Sequence, residues 1–242
     1  RAAVDMSVRF VVGRHLPDKA IDLLDECGSI AAAQPGRRVT RDTVATAISR
    51  MSGLGFVRDP DLAKKLSGRV KGQDGACAAI AEAVTRSVSD VGPSSGTRCL
   101  MLFHGPERSG KKHAAVTLAE TLAVPLHVID MSEFSEAHSV SGLFGPPPGY
   151  VGFGMGGRLT EPVRRSPACV LVLERIDRAH PAVMASVMAA LESGTASDSA
   201  GRRASFAAAT VVMTSVPDES GGGGIGFMQR DGGAATVGLP GV

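Results

Sequence analysis

An apolar run, Cys99 to Phe103, leads into Gly105-Pro106-Glu107-Arg108-Ser109-Gly110-Lys111 and then into a segment with helical pattern, Lys111 to Leu122. This order of strand, glycine-bounded loop and helix constrains the chain more than any other feature. GxxxxGK in that context is a phosphate loop, and it belongs at the end of a strand in a parallel sheet. Its glycines let backbone N–H groups curl around an anion, the helix N-terminus adds its positive dipole end, and Lys111 supplies charge for the outer phosphates. The residue after the lysine ordinarily carries a hydroxyl that binds Mg²⁺. Here it is Lys112, whose ammonium cannot ligate a metal: it either repels Mg²⁺ or partly replaces it by neutralising phosphate charge.

Around the loop, apolar strands alternate with helical segments. Helix is expected over Asp74–Ser89, Lys111–Leu122 and Pro181–Glu192; strand is expected over Cys99–Phe103, Leu126–Ile129, Cys169–Leu173 and Ala208–Met213. That alternation predicts an α/β fold, a parallel sheet flanked by helices. Ahead of it the chain reads as all-helical. Leu16–Gly28 places Ala20, Leu23, Leu24 and Cys27 on one face with Gly28 as a C-terminal cap, and Arg41–Met51 follows with Thr40 as its cap. Ser52–Gly68 lacks sustained periodicity and suits a connection holding a short helix. After Pro217, glycines dominate and no period survives, which predicts a mobile loop or frayed end.

Composition narrows the function classes. The formal net charge is +2 with scattered basic residues, and there is one tyrosine and no tryptophan, which argues against a nucleic-acid partner. No run is long and apolar enough to span a bilayer, so no membrane partner is expected. The four cysteines form no CxxC pair and mostly sit in apolar stretches, the pattern of buried reduced thiols in a reducing compartment. The opening Arg1 suggests an excerpt of a longer chain.

Several longer motifs occur together and in a fixed order. These are DMSEF (130–134), LFGPPPGYVGF (143–153), GGRLTEPVRRSP (156–167), RAHP (178–181), DSAGRRASF (198–206) and VVMTS (211–215). Upstream lie RHLPDKAIDLLDECGS and VKGQDGACAAI (70–80). Together they resemble the Clp-type AAA+ unfoldases, over nearly the whole chain. The resemblance implies a P-loop AAA+ sheet preceded by a small all-α lid, with residues 1–52 the helical lid ending a first module and 53–68 a linker. Residues 69–242 would then be the large α/β subdomain of a second module, incomplete at its C-terminus. It further implies ATP and Mg²⁺ as cofactors, a homo-hexameric ring, protein substrates threaded through its pore, a Clp peptidase ring as partner, and the cytoplasm or an organelle of bacterial origin.

Residue by residue, the resemblance gives Gly105, Pro106, Glu107, Arg108, Ser109, Gly110, Lys111 and Lys112 to the nucleotide. Tyr150 and Val151 fall at the substrate-gripping pore loop; a Pro/Gly-rich surround independently argues for an exposed loop there. Ile225, Gly226 and Phe227 resemble the loop by which members dock on the peptidase. Three positions depart from the pattern. In VLVLERIDRAH, Glu174 takes the place of the metal-binding aspartate and Arg175 that of the glutamate that polarises water, while Val216 replaces the asparagine that senses the γ-phosphate. With Lys112, these changes predict a hydrolysis-impaired second site. Three readings follow: an unfoldase subunit with a hydrolysis-impaired second site, a non-hydrolysing pseudo-ATPase docking and assembly module, or a decayed fragment. Helicase, kinase and GTPase readings explain none of the motifs from Asp130 onward.

Overall fold

The computed structural model describes residues 3–4, 7, 16–33, 36, 38–40, 43–44, 46–48, 59–89, 96–150, 154, 156–217, 226–231 and 233–238; for 88–89 and the last two stretches it describes backbone only. Helix α1 (Asp18–Ala32) buries Ala20, Leu23, Cys27, Ile30 and Ala31. It runs four residues past the expected cap, because Ile30 and Ala31 continue the buried stripe and outweigh the weak helix propensity of Gly28. Residues 43–44 and 46–48 are helical, and Val44, Ala47 and Ile48 join Leu23, Cys27 and Ile30 in one cluster. Thr40 caps them as expected. Its Oγ1 accepts from the Thr43 N–H at 3.3 Å, and Thr43 Oγ1 accepts from the Thr40 N–H at 3.2 Å. Residues 41, 42 and 49–58, with the ends of that helix and much of the expected linker, lie outside the described residues.

The α/β part follows as α2 (Leu62–Arg69), α3 (Asp74–Ser89), β1 (Cys99–His104), α4 (Lys111–Leu122), β2 (Leu126–Asp130), α5 (Val140–Phe144), α6 (Thr160–Arg165), β3 (Val170–Glu174), α7 (Pro181–Ser193), the short pair β4 (Thr195–Ser197) and β5 (Arg203–Ser205), and β6 (Thr210–Ser215). Strands β2, β3, β6 and β1 lie side by side and parallel, with Asp130 opposite Glu174 and His104 opposite Ser215. The two central strands are buried throughout apart from Glu174, and successive side chains go to opposite faces. Val170, Val172 and Val212 pack with Leu66, Ile80, Phe103 and Leu118 on the α2–α4 side, whereas Leu171, Leu173, Val211 and Met213 pack with Leu143, Val163, Val183 and Val187 on the α5–α7 side.

Two expectations require correction. The last core strand begins at Thr210 rather than Ala208, because residues 207–208 form a turn closed by Ala209 N–H donating to Phe206 O at 3.0 Å. The shift carries Thr214 and Ser215 to the strand's end. Within the glycine-rich stretch after Pro217, the described residues form two strands where a loop or frayed end was expected. Gly226–Asp231 (β7) pairs antiparallel with β1, and Gly233–Gly238 (β8) pairs with β7. β7 thereby covers the outer edge of β1, where the backbone ladder would otherwise end.

Candidate nucleotide site

The parallel register brings His104, Asp130, Glu174 and Ser215 to the same end of the sheet, where loops bind ligands in open α/β folds. The phosphate loop leaves β1 there. Gly110 sits at φ +91° immediately before α4, a left-handed conformation that glycine adopts without strain, and its carbonyl accepts the first helical bond from Ala114 N–H at 2.8 Å. Lys111 Nζ lies inside the loop, donating to Gly105 O and Pro106 O at 2.6 Å each and to Ser109 Oγ at 3.4 Å. Burial holds its pKa below the ordinary lysine value, with Glu107 and Asp177 pulling the other way.

A cleft of about 370 Å³ is lined by Glu107, Arg108, Gly110, Lys111, Lys112, His113, Glu174, Arg175, Thr214 and Val216. The structure thus gathers part of the phosphate loop and all of the sequence departures around one space, with Gly105, Pro106 and Ser109 outside its lining. They also find partners in one another and nearby. Lys112 Nζ pairs with Glu174 Oε2 at 3.1 Å. Arg175, in the left-handed region at φ 57°, donates its N–H to Thr214 Oγ1 at 3.2 Å and pairs its guanidinium with both carboxylate oxygens of Asp130. Asp130 Oδ1 also accepts from Ser132 N–H at 3.0 Å and Ser132 Oγ at 2.7 Å. The Val216 side chain offers no hydrogen bond, and its N–H donates to Asp177 Oδ1 at 3.2 Å.

The loop fits a polyphosphate, with a helix N-terminus, glycine-shaped backbone and Lys111 converging on it. The residues do not fit a hydrated Mg²⁺ beside it. An ammonium occupies the hydroxyl's place and neutralises the Glu174 carboxylate, and Asp130 is taken by Arg175. Among the described residues, no cluster of three or more His, Cys, Asp or Glu side chains could hold a metal ion.

One part of the site has no counterpart in the sequence reasoning. A narrow apolar cavity next to the loop is lined by Val70, Gln73, Cys77, Ile80, Phe103 and Ala114, between α3, β1 and α4. The signal was present in VKGQDGACAAI, whose Cys77 and Ile80 lie on one helical face.

Tyr150 does not line the cleft. It is 70% exposed, on a loop whose neck is pinched: Arg158 N–H donates to Gly142 O and Leu159 N–H to Leu143 O, each at 3.0 Å. A Cβ on Gly157 would stand 1.9 Å from Leu143 O, so only glycine fits at this crossing. Val151 and Ile225 lie outside the described residues. The backbones of Gly226 and Phe227 pair with His104 and Phe103.

Residues 98–220 match the family model for the AAA domain (Cdc48 subfamily), and residues 1–53 match that for an AAA lid domain. A ClpA homolog protein from Fuscovulum blasticum is 35% identical over 227 residues, covering 89% of this chain and 29% of the relative. ClpE of Bacillus subtilis, an ATP-dependent Clp protease ATP-binding subunit, is 31% identical, covering 89% and 40%. The chaperone ClpB of Rhodopirellula baltica is 38% identical, covering 82% and 24%. A solved structure of Hsp104 with ATPγS and FITC casein superposes with a TM-score of 0.73 at 30% identity, covering 89% of this chain and 39% of that one. The chain therefore spans well under half the length of these relatives. The AAA model matches more than half of its residues, and with the lid model and these Clp and Hsp104 relatives matching over most of its length, the chain belongs to the Clp/Hsp100 family of AAA+ proteins.

Proposed function

We propose that this chain is the junction of two AAA+ modules in a protein-remodelling ring, residues 1–52 closing the first, 53–68 linking them, and 69–242 forming a second module that binds nucleotide without appreciable hydrolysis. The observation that carries this reading is the Arg175–Asp130 pair at the strand end. Arg175 is permanently charged and cannot act as a base, and its guanidinium is already engaged. Lys112 and Val216 remove two further polar functions at the same cleft. Loss of a general base alone lowers turnover about a hundred- to ten-thousand-fold.

In this reading the module contributes ring assembly, most simply as a homo-hexamer, and a pore in which Tyr150 and Val151 contact translocating protein. Ile225, Gly226 and Phe227 provide the contact with a Clp peptidase ring, in the cytoplasm or an organelle of bacterial origin. ATP hydrolysis for the assembled protein comes from the first module. The test is phosphate release from ATP in the presence of Mg²⁺ by the 242-residue chain and its Lys111→Ala variant. Equal, background-level rates are expected. Turnover that Lys111→Ala abolishes would overturn the reading.

A further inference from the structure

We propose that the cleft takes the polyphosphate of a nucleotide without a divalent cation, Lys112 standing in the metal's place as a tethered counter-charge held by Glu174. This rests on the reading of the second module as a nucleotide-binding site and specifies what that site recognises.

Lys112 is the second residue of α4, so its side chain springs from the same helical turn as Lys111 and opens onto the same cleft. Its partner Glu174 is largely buried, 19% exposed, and leaves the ammonium two further donors. The usual arrangement sets two carboxylates against one divalent ion, which sums to zero. Here Lys112 and Arg175 are set against Glu174 and Asp130, two cations against two anions, so the same sum of zero is reached with no metal added. An arriving Mg²⁺ would meet the Lys112 ammonium at short range and would have to displace it from Glu174. Polyphosphate meets no such barrier: Lys111, Lys112 and the α4 N-terminus all favour its charge.

Binding of a fluorescent ATP analogue and of its ADP counterpart to the 242-residue chain, titrated in excess EDTA and in millimolar Mg²⁺, tests this directly. The wild type should bind equally, within about twofold, under both conditions. Lys112→Thr removes the tethered charge and frees Glu174 for a metal. It should bind about ten- to a hundred-fold more weakly than wild type in EDTA and regain affinity with Mg²⁺. Glu174→Gln keeps the volume and removes only the carboxylate, so it should retain metal-independent binding at equal or higher affinity, and this guards against a Lys112→Thr variant that fails to fold. Wild-type binding that requires Mg²⁺, no wild-type binding under either condition, or loss of binding in Glu174→Gln would each overturn the proposal. Phosphate release followed in the same samples separates the two claims. Mg²⁺-dependent binding without release removes this inference alone, whereas metal-free binding with sustained release removes the reading of an idle site alone.

Discussion

Replacing Gly157 with alanine drives a methyl group into the neck of the Tyr150 loop. The new carbon would stand 1.9 Å from Leu143 O, 2.4 Å from its carbonyl carbon and 2.6 Å from Phe144 Cα, all backbone atoms that cannot rotate away. An unstrained carbon–oxygen contact needs about 3.3 Å, so the two segments must separate by about 1.4 Å. That separation breaks the bonds from Arg158 N–H and Leu159 N–H to Gly142 O and Leu143 O, and disturbs the buried bond from Gly157 N–H to Thr160 Oγ1 at 3.2 Å. Two lost backbone bonds at about 1 kcal/mol each, with overpacking of about 1–3 kcal/mol, give a destabilisation of about 3–5 kcal/mol. For a chain of this size that lowers the melting temperature by about 6–20 °C. Gly28→Ala is the control of opposite sign. It lies inside α1 with nothing within 4 Å of the added carbon, and should stabilise by about 0.5–1 kcal/mol. Thermal unfolding followed by circular dichroism reads both. A Gly157→Ala protein that melts within about a degree of wild type would refute the steric argument.

Three further outcomes are expected. A photo-crosslinker at position 150 of an assembled ring should capture a model substrate, given 70% exposure of Tyr150; failure in a ring that demonstrably translocates protein would remove the pore role. Phe227→Ala in the full-length protein should abolish co-migration with a peptidase ring while leaving assembly intact, because contacts repeated around a ring multiply a small loss per subunit; unchanged co-migration would make β7 a structural edge only. The four cysteines form no disulfide and are buried, and burial pushes the Cys169 thiol up to about 12, so a thiol reagent at neutral pH should label none quickly until the chain is unfolded. Rapid native labelling would show that the cluster holding Cys27 or the cores holding the other three open readily.

The parallel sheet and the phosphate loop were legible because their signals are local: an apolar run of strand length, two glycines and a lysine at fixed spacing, then a helical period. The departures at Lys112, Arg175 and Val216 were legible as substitutions within ordered motifs. Their pairing was not. That Lys112 finds Glu174 and Arg175 finds Asp130 depends on strand register between segments 62 and 45 residues apart, which no single-segment pattern encodes. The stop of α1 was misjudged because glycine marks helix ends statistically, whereas Ile30 and Ala31 had a core to reach. The two-residue offset of β6 arose because Ala208 and Ala209 continue the apolar run while the chain is still turning. Strands β7 and β8 escaped notice because a glycine-rich segment has little preference of its own and takes its form from the β1 edge it meets.

The pinched neck also has a consequence for how this loop can vary. Gly145 comes close to the Gly156–Gly157 peptide, and Ser199 N–H donates to Phe144 O just outside that crossing, so both stems enter the body of the protein at one clasp. A pull on the tip is then shared by α5 and α6 together and does not peel one stem away. The clasp also insulates the core from the length of chain beyond it. Doubling the loop would add only about 0.6 kcal/mol of closure entropy. Residues near Tyr150 are therefore free to lengthen, shorten or change chemistry, provided the glycines at the clasp stay.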